Sequence, residues 1–376
     1  AFVAPWPLPD AVRARLAPWP VEPLPAHEAI AADPPLLLDA TLRIERQVHH
    51  ADHVLVQPCG NRCVVLPPPP APLSTAELDA VYALPFVRAA HPGGGAPVPA
   101  LETVRHSVTA VRGCGGGCAF CSLAAHQGRR IRSRSAESIL AEVRALAAGP
   151  DWRGSLSDVG GPTANAWGSS CGAAPAACDR PSCYSPAPCP QLRLDQEAYL
   201  KLLQAVAAIS GVGHVRVGSG VRHDLLLAEP EVAEGLLAEF VGGQLKVAPE
   251  HSVDRVLALM RKSGFGAFER FRQLFARVNR RTGKEQYLVP YVLSALPGCT
   301  MDDMRTLADW FGRQGWRPQQ VQCFVPTPGT LATAMYYAGC DADRTPIHVA
   351  RTDRERQDQH ALLTGDGSPP RRRTRA

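Results

Sequence analysis

Cys114, Cys118 and Cys121 lie within eight residues, in the run Arg112-Gly113-Cys114-Gly115-Gly116-Gly117-Cys118-Ala119-Phe120-Cys121. Thiolates at the spacing C-x3-C-x2-C can each take one iron of a 4Fe–4S cube. The intervening glycines let the backbone curl closely around such a group, because they accept positive φ and leave no Cβ in the way. No fourth cysteine stands nearby, so one iron of a cube would be open to an outside ligand. That arrangement suits chemistry better than electron storage. Spacing alone leaves zinc open too, since zinc takes four tetrahedral ligands and His126 could supply the fourth. A second group, Cys171, Cys178, Cys183 and Cys189, falls within nineteen residues. It could hold an auxiliary 4Fe–4S cluster or a structural zinc, at spacings wider than common zinc knuckles. Cys59 and Cys63 flank a turn and are too few for a site.

The elements that must position these residues can be read from periodicity. Strands are expected at 106–112, 155–159, 214–219, 244–248, 286–293 and 319–325. Between them lie helix patterns near 135–148, 195–209, 229–240, 252–281 (broken around Gly264 and Gly266) and 300–314. Ser135, Ser252 and Thr300 stand where N-caps belong, and Asp303 gives Thr300 a capping box. Strands alternating with helices predict an α/β fold with parallel strands, and six such units predict a partial (β/α)6 TIM-like barrel. Its site would lie at the C-terminal ends of the strands, and the first cysteine group directly follows the first strand. The stretch 160–194 is a long irregular loop inside this rhythm.

Residues 1–102 read as a separate Pro-rich extended segment, because 19 of the 36 prolines fall in the first hundred residues. One hairpin is expected there, Val54–Val56 against Cys63–Leu66 across Gly60-Asn61, and one short helix behind the capping box of Ser74 and Glu77. Residues 103–340 form the core. Residues 341–376 read as a polar, basic tail without structure.

Hydrophobic content of 45% and charged content of 20% are those of a globular protein, and no apolar run is long enough to span a membrane. Four arginines in the last six residues account for most of the net charge of +5. A nearly neutral body with a basic tip gives little support to a nucleic-acid surface. The start, from Ala1 to Pro7, lacks the features of a signal peptide and an initiator Met, as expected of a fragment or trimmed product. Twelve cysteines in clusters, without an export signal, favour metal ligation in the reducing cytoplasm.

The C-x3-C-x2-C run, with Phe120 before its last cysteine, resembles the signature of radical S-adenosylmethionine (SAM) proteins. Several other stretches resemble the YgiQ family within that superfamily. These are Ala125-His126-Gln127-Gly128-Arg129, Asp158-Val159-Gly160-Gly161-Pro162-Thr163-Ala164-Asn165, Gly218-Ser219-Gly220-Val221-Arg222, Lys246-Val247-Ala248-Pro249-Glu250-His251 and Gly283-Lys284-Glu285-Gln286-Tyr287-Leu288. The resemblance covers about residues 60 to 340. It implies a 4Fe–4S cluster on Cys114, Cys118 and Cys121, with S-adenosylmethionine chelated at the open iron. It further implies a 5′-deoxyadenosyl radical abstracting hydrogen from a substrate not identified here, and a reductant such as a flavodoxin or ferredoxin. Gly160, Gly161 and Pro162 would meet the methionyl amino group. Ser219 and Arg222 would meet the methionyl carboxylate and ribose, Glu250 the ribose or substrate, and Phe120 the adenine.

The sequence departs from that family at Gly115, where an aromatic is common, and at Ser294-Ala295-Leu296-Pro297-Gly298, where the family carries a histidine in place of Leu296. The resemblance also places a large N-terminal domain before residue 1. No general base stands out, since His126, His214, His223 and His251 are each as well explained by packing or solvation. The competing class is a non-catalytic iron–sulfur or zinc protein that uses its basic tail on RNA. Ser219, Arg222 and Glu250 would then be ordinary strand-end pairing groups.

Overall fold

Proline density misjudges the N-terminal hundred residues. In the computed structural model the described residues are 1–91, 97–174 and 178–365, so the arginine-rich tip falls outside them. Strands β1 (Phe2–Pro5), β2 (Val21–Pro23), β3 (Val54–Cys59) and β4 (Arg62–Leu66) make one sheet in the order β1-β4-β3-β2. The expected hairpin is present: Val56 faces Val65 across antiparallel β3 and β4, and Gly60 takes φ +57° in the turn. Val54, Val56, Val65, Leu8 and Leu16 close a small core beneath it.

Helices α1 (Asp10–Arg15), α2 (His27–Ala32) and α3 (Leu36–His50) connect these strands. An extended segment with one hairpin and one short helix is therefore too little structure for residues 1–102. The fifteen-residue α3 forms because 36–50 contains no proline, a gap that an average over the segment conceals. Leu38 on α3 enters the main core, and α3 packs along the later helix Leu331–Ala338. The short helix α4 (Thr75–Tyr82) has the expected capping box. The Ser74 hydroxyl accepts from the Glu77 N–H, and the Glu77 carboxylate accepts from the Ser74 N–H. A further turn of helix, α5 (Pro99–Val104), leads into the core.

The alternating pattern beyond residue 103 forms much as its apolar spacing predicts. Strand β5 (Ser107–Thr109) pairs in parallel with β9 (Asp158–Gly160), and β8 (Ser155–Leu156) with β12 (His214–Val215). The strands β13 (Gln244–Glu250), β14 (Tyr287–Ser294) and β15 (Gln320–Cys323) form a second parallel run. Beside them, β6 (Val111–Arg112) pairs antiparallel with β7 (Arg132–Ser133), and β10 (Ser170–Cys171) with β11 (Leu192–Arg193). Just after β12, the Val217 N–H donates to Phe240 O at the end of the helix that leads into β13. Among the described residues no ladder returns from β15 to β5, so the strands do not close into a barrel.

The connecting helices are α6 (Leu123–Gln127), α7 (Ala136–Ala147), α8 (Gln196–Ala207), α9 (His223–Leu226) and α10 (Pro230–Glu239). They continue with α11 (Asp254–Leu259), α12 (Phe265–Thr282), α13 (Met301–Arg313), α14 (Leu331–Ala338) and α15 (Asp353–Thr364). Ser135 caps α7, and Thr300 with Asp303 forms the expected box on α13. Ser252 does not cap α11; Val253 occupies that position without a side-chain bond. The break between α11 and α12 is instead secured by Asp254, whose Oδ1 accepts from the Phe265 N–H at 2.7 Å.

An unstructured stretch from residue 341 is also corrected, because α15 docks on the core. Its Gln359, fully buried, accepts from the Ala295 N–H and donates to Cys299 O. The expected lack of structure at 366–376 lies outside the described residues.

Thr300→Ala removes the hydroxyl that accepts from the Asp303 N–H and donates to its carboxylate, while the backbone N–H at position 300 keeps its bond to Asp303 Oδ2. The expected cost is about 1 kcal/mol in urea unfolding at unchanged m-value.

Candidate metal centre

The loop that carries Cys114, Cys118 and Cys121 leaves β6 with almost no room for side chains. A Cβ on Gly113, whose φ is +79°, would sit 2.2 Å from Arg130 O. On Gly117, with φ +56°, it would sit 2.1 Å from Pro181 O. At Gly115 it would press on Cys183 Cβ and Tyr184 Cζ, each at 3.1 Å. Gly116 differs. Its empty Cβ position lies 3.3 Å from Cys114 Sγ, 3.6 Å from Cys118 Sγ and 3.6 Å from Arg222 Nη1. Two thiols and a guanidinium therefore face the same point.

Cys114 Sγ accepts from the Gly116 N–H at 3.4 Å and lies 3.6 Å from Thr163 Oγ1. The Cys121 N–H donates to Cys118 O at 3.1 Å, which winds the loop back on itself. Burial pushes the Cys118 thiol above its ordinary pKa and Cys121 up to about 11, with the neighbouring cysteines adding to the rise at Cys121. A bound cation would draw off their protons.

Arg222 is held from three sides. Its Nε donates to Asp224 Oδ1 at 2.9 Å and its Nη2 to Oδ2. Its backbone N–H donates to Asn165 Oδ1 at 2.9 Å, and its carbonyl accepts from Asn165 Nδ2 at 3.1 Å. Its guanidinium stacks 4.9 Å from the centre of the buried Tyr184 ring. Burial would raise the Asp224 carboxyl, but Arg222 outweighs it and holds the group well below the carboxylate range. Burial raises Glu250, against the pull of Lys262 Nζ at 3.7 Å. Glu250 also sits at φ +66°, a strained position for a residue with a side chain.

The other expected residues fall into a second group. Ser219 donates from its N–H and its hydroxyl to Asp158 Oδ1, at 3.0 and 3.1 Å. Gly160 lies beneath it, since a Cβ there would come within 2.3 Å of Ser219 Oγ. Gly161 lies against Val111 O, at 2.4 Å from the Cβ it lacks, and Pro162 is half-buried beside it. Phe120 is half-buried against the main core. Sequence reasoning did not single out Asp158, Thr163 and Asn165, although they stand in a stretch that carried the family resemblance. Asp224, Lys262 and Tyr184 had no motif to mark them. Burial lowers His223 to about 3 and His251 to about 4, so both are neutral packing groups; His223 lies between Phe268 and Phe271.

These residues fit a cubane cluster. A glycine cradle, three thiols and a buried cation beside them are what an anionic iron–sulfur group needs. Among the described residues no three of His, Cys, Asp and Glu converge on a point that one metal ion could occupy. A single zinc requires such convergence, at about 2.3 Å from each sulfur, whereas a cube gives each thiolate its own iron. His126 is exposed on α6. None of the described helices is long and apolar enough to cross a membrane.

Comparison with known proteins agrees with this class. Residues 13–107 match the family model described as Radical SAM N-terminal, and residues 319–366 match a domain of unknown function, DUF3362. With the relatives that follow, this match places the chain among radical SAM proteins. A UPF0313 protein of Geobacter sulfurreducens is 50% identical over 344 residues, covering 90% of this chain and 57% of that protein. A UPF0313 protein of Methanocella arvoryzae is 42% identical, with the same coverage of 90% and 57%. The chain belongs to the UPF0313, or YgiQ, family. It spans about half the length of the curated relatives it matches. Part of the N-terminal region expected before residue 1 thus lies within the chain, at 13–107. Among solved structures, the radical S-adenosylmethionine methyltransferase TsrM from Kitasatospora setae is similar at 16% identity and a TM-score of 0.42, over 71% of this chain and 49% of that one. At that level the likeness adds nothing to the chain's own residues.

Asp224→Asn leaves the Arg222 guanidinium buried without its counter-charge, and the expected cost is about 3–5 kcal/mol near pH 7. Because the Asp224 pKa is depressed in the folded chain, its stabilisation is present above the unfolded carboxyl value. It is lost as pH falls through the folded value. Urea midpoints measured from pH 7 downward should therefore fall less steeply for the variant than for the parent chain.

Proposed function

We propose that this chain is the catalytic part of a radical SAM enzyme, with a 4Fe–4S cluster on Cys114, Cys118 and Cys121 and S-adenosylmethionine at the open iron. The observation that carries this reading is the placement of Arg222. Its Nε and Nη2 are committed to Asp224, while Nη1 faces the point shared by the Cys114 and Cys118 thiols. A guanidinium with one edge anchored and one edge free can receive a carboxylate beside a cluster. When bound, the reduced cluster and S-adenosylmethionine supply a 5′-deoxyadenosyl radical that abstracts hydrogen from a substrate carbon.

The chain's own residues would bind, orient and shield. Arg222 would hold the methionyl carboxylate. Gly160, Gly161 and Pro162 would meet the methionyl amino group, with the Asp158 carboxylate close by through Ser219. Glu250, kept in place by Lys262, and Ser219 would accept or donate to ribose hydroxyls, and Phe120 would pack on the adenine. The parallel runs would then be the strands of a partial (β/α)6 barrel with the site at their C-terminal ends. Free cysteines throughout the described residues suit the cytoplasm, where a flavodoxin or ferredoxin could reduce the cluster.

Anaerobic loading with iron and sulfide, then dithionite reduction and EPR, tests this. A reduced-cluster signal that shifts with S-adenosylmethionine, together with formation of 5′-deoxyadenosine, is the expected result; Cys118→Ala should lose both. A cluster signal without shift or deoxyadenosine would instead mark a cluster-binding protein without turnover. Arg222→Lys should keep the cluster signal but raise the S-adenosylmethionine Kd about tenfold in an EPR titration, since an ammonium cannot serve Asp224 and the carboxylate together.

A further inference from the structure

The segment that presses on the cysteine loop carries the second set of cysteines, and residues 178–189 of it are closely hydrogen-bonded. Arg180 donates to the carbonyls of Ser182, Ser185 and Ala187, which fold the segment around one guanidinium. The Ser182 hydroxyl accepts from the N–H groups of Tyr184 and Ser185. The cysteine backbones are each tied down. Cys178 O bonds His50 Nε2 at 2.9 Å, and the Cys183 N–H donates to Gly115 O at 2.7 Å. The Cys189 N–H donates to Cys183 O at 2.8 Å, and Cys171 pairs with Leu192 in the β10–β11 ladder.

All four cysteines are free, and all four line one cavity of about 340 Å3. The Cys183 thiol lies within electrostatic reach of Cys178 and Cys171 and is hydrogen-bonded by Arg129. Cys171 stands exposed at the mouth. Buried polar atoms on the same wall have no protein partner. These are the hydroxyl of the fully buried Tyr184, both ring nitrogens of His49, and Arg129 Nε. The Tyr184 hydroxyl, the Arg129 Nε–H and the one N–H of the His49 ring are donors without an acceptor, which native interiors rarely tolerate.

We propose that Cys171, Cys178, Cys183 and Cys189 ligate a second 4Fe–4S cluster, one thiolate to each iron. The cavity is far larger than a single ion, and its cysteines do not converge on one point as zinc would require. Inorganic sulfides and thiolates would accept from Tyr184, His49 and Arg129. Arg130, Arg132 and Arg180 around the same cavity offset the cluster's negative charge. Each thiol gives its proton to solvent on ligation, and iron and sulfide come from outside. Every iron is capped, so this cluster has no open position for S-adenosylmethionine. The assignment stands whether or not the first site works as proposed.

The test is iron and sulfide content of the 376-residue chain after anaerobic loading, with Mössbauer and EPR spectra. The parent chain should hold about eight irons and eight sulfides. The triple variant Cys114→Ala/Cys118→Ala/Cys121→Ala should keep about four irons, with an EPR signal indifferent to S-adenosylmethionine. Cys178→Ala/Cys183→Ala should also keep about four, with a signal that still responds. A parent chain holding only about four irons, all lost in the triple variant, overturns the proposal. So does one zinc without sulfide in the triple variant, or full iron content in a folded Cys178→Ala/Cys183→Ala chain. If either variant fails to fold by circular dichroism, the iron count and Mössbauer components of the parent chain still decide. Failure of the first site alone would instead show as about four irons that disappear only with Cys178→Ala/Cys183→Ala.

Discussion

The contact between Gly115 and the Cys183–Tyr184 pair shapes the cysteine-bearing half of this molecule. At 3.1 Å from the Cβ that Gly115 lacks, the Cys183 Cβ and Tyr184 ring of the strap leave no room on the loop for a side chain. The same closeness recurs at Gly117 and Pro181 and at Gly113 and Arg130. Held from outside in this way, the loop can only turn its thiols inward, toward Gly116 and the guanidinium beyond it. An aromatic at position 115, common in the family, would have to displace the strap. Glycine there and the tight strap are two sides of one packing solution.

Inside that wall the electrostatics are arranged in pairs. Arg222 with Asp224 and Lys262 with Glu250 bring two cations close to buried thiols, each cation accompanied by a carboxylate. Without carboxylates, two buried cations would be intolerable in the metal-free chain. Without cations, an anionic cluster would be. The pairs allow the interior to remain folded while the charge at the thiols changes. Asn165 extends the arrangement to the backbone, gripping Arg222 by N–H and carbonyl while donating to the buried Gln196.

What could be read from the sequence was periodic or clustered. Apolar alternation and capping residues located the parallel strands and their helices to within a few residues, and cysteine spacing marked Cys114 and Cys118, whose thiols the structure brings together beside Gly116. Features carried by single residues were less legible. Asp158, Lys262 and Asp224 are isolated charges in sequence that become neighbours only through strand-end packing. Helix α15 has a polar sequence whose buried residues are just Gln359 and Leu363, so no apolar stripe announces it. Helix α3 was masked by prolines on either side, and the strands β1 and β2 are too short to alternate visibly. Ser252 failed as a cap because the chain used Asp254, eleven residues before its partner Phe265, to organise the next helix.

The N-terminal unit reaches this centre through a single helix. Glu45 on α3 meets Arg261 at 3.0 Å, and Arg261 in turn donates to Gly117 O at 3.4 Å. On the next turn of α3, His50 holds Cys178 O. Contacts to both cysteine-bearing segments thus cross the boundary expected at residue 102. A chain trimmed to begin at 103 would keep every strand of the α/β core yet lose the brace behind both cysteine-bearing segments.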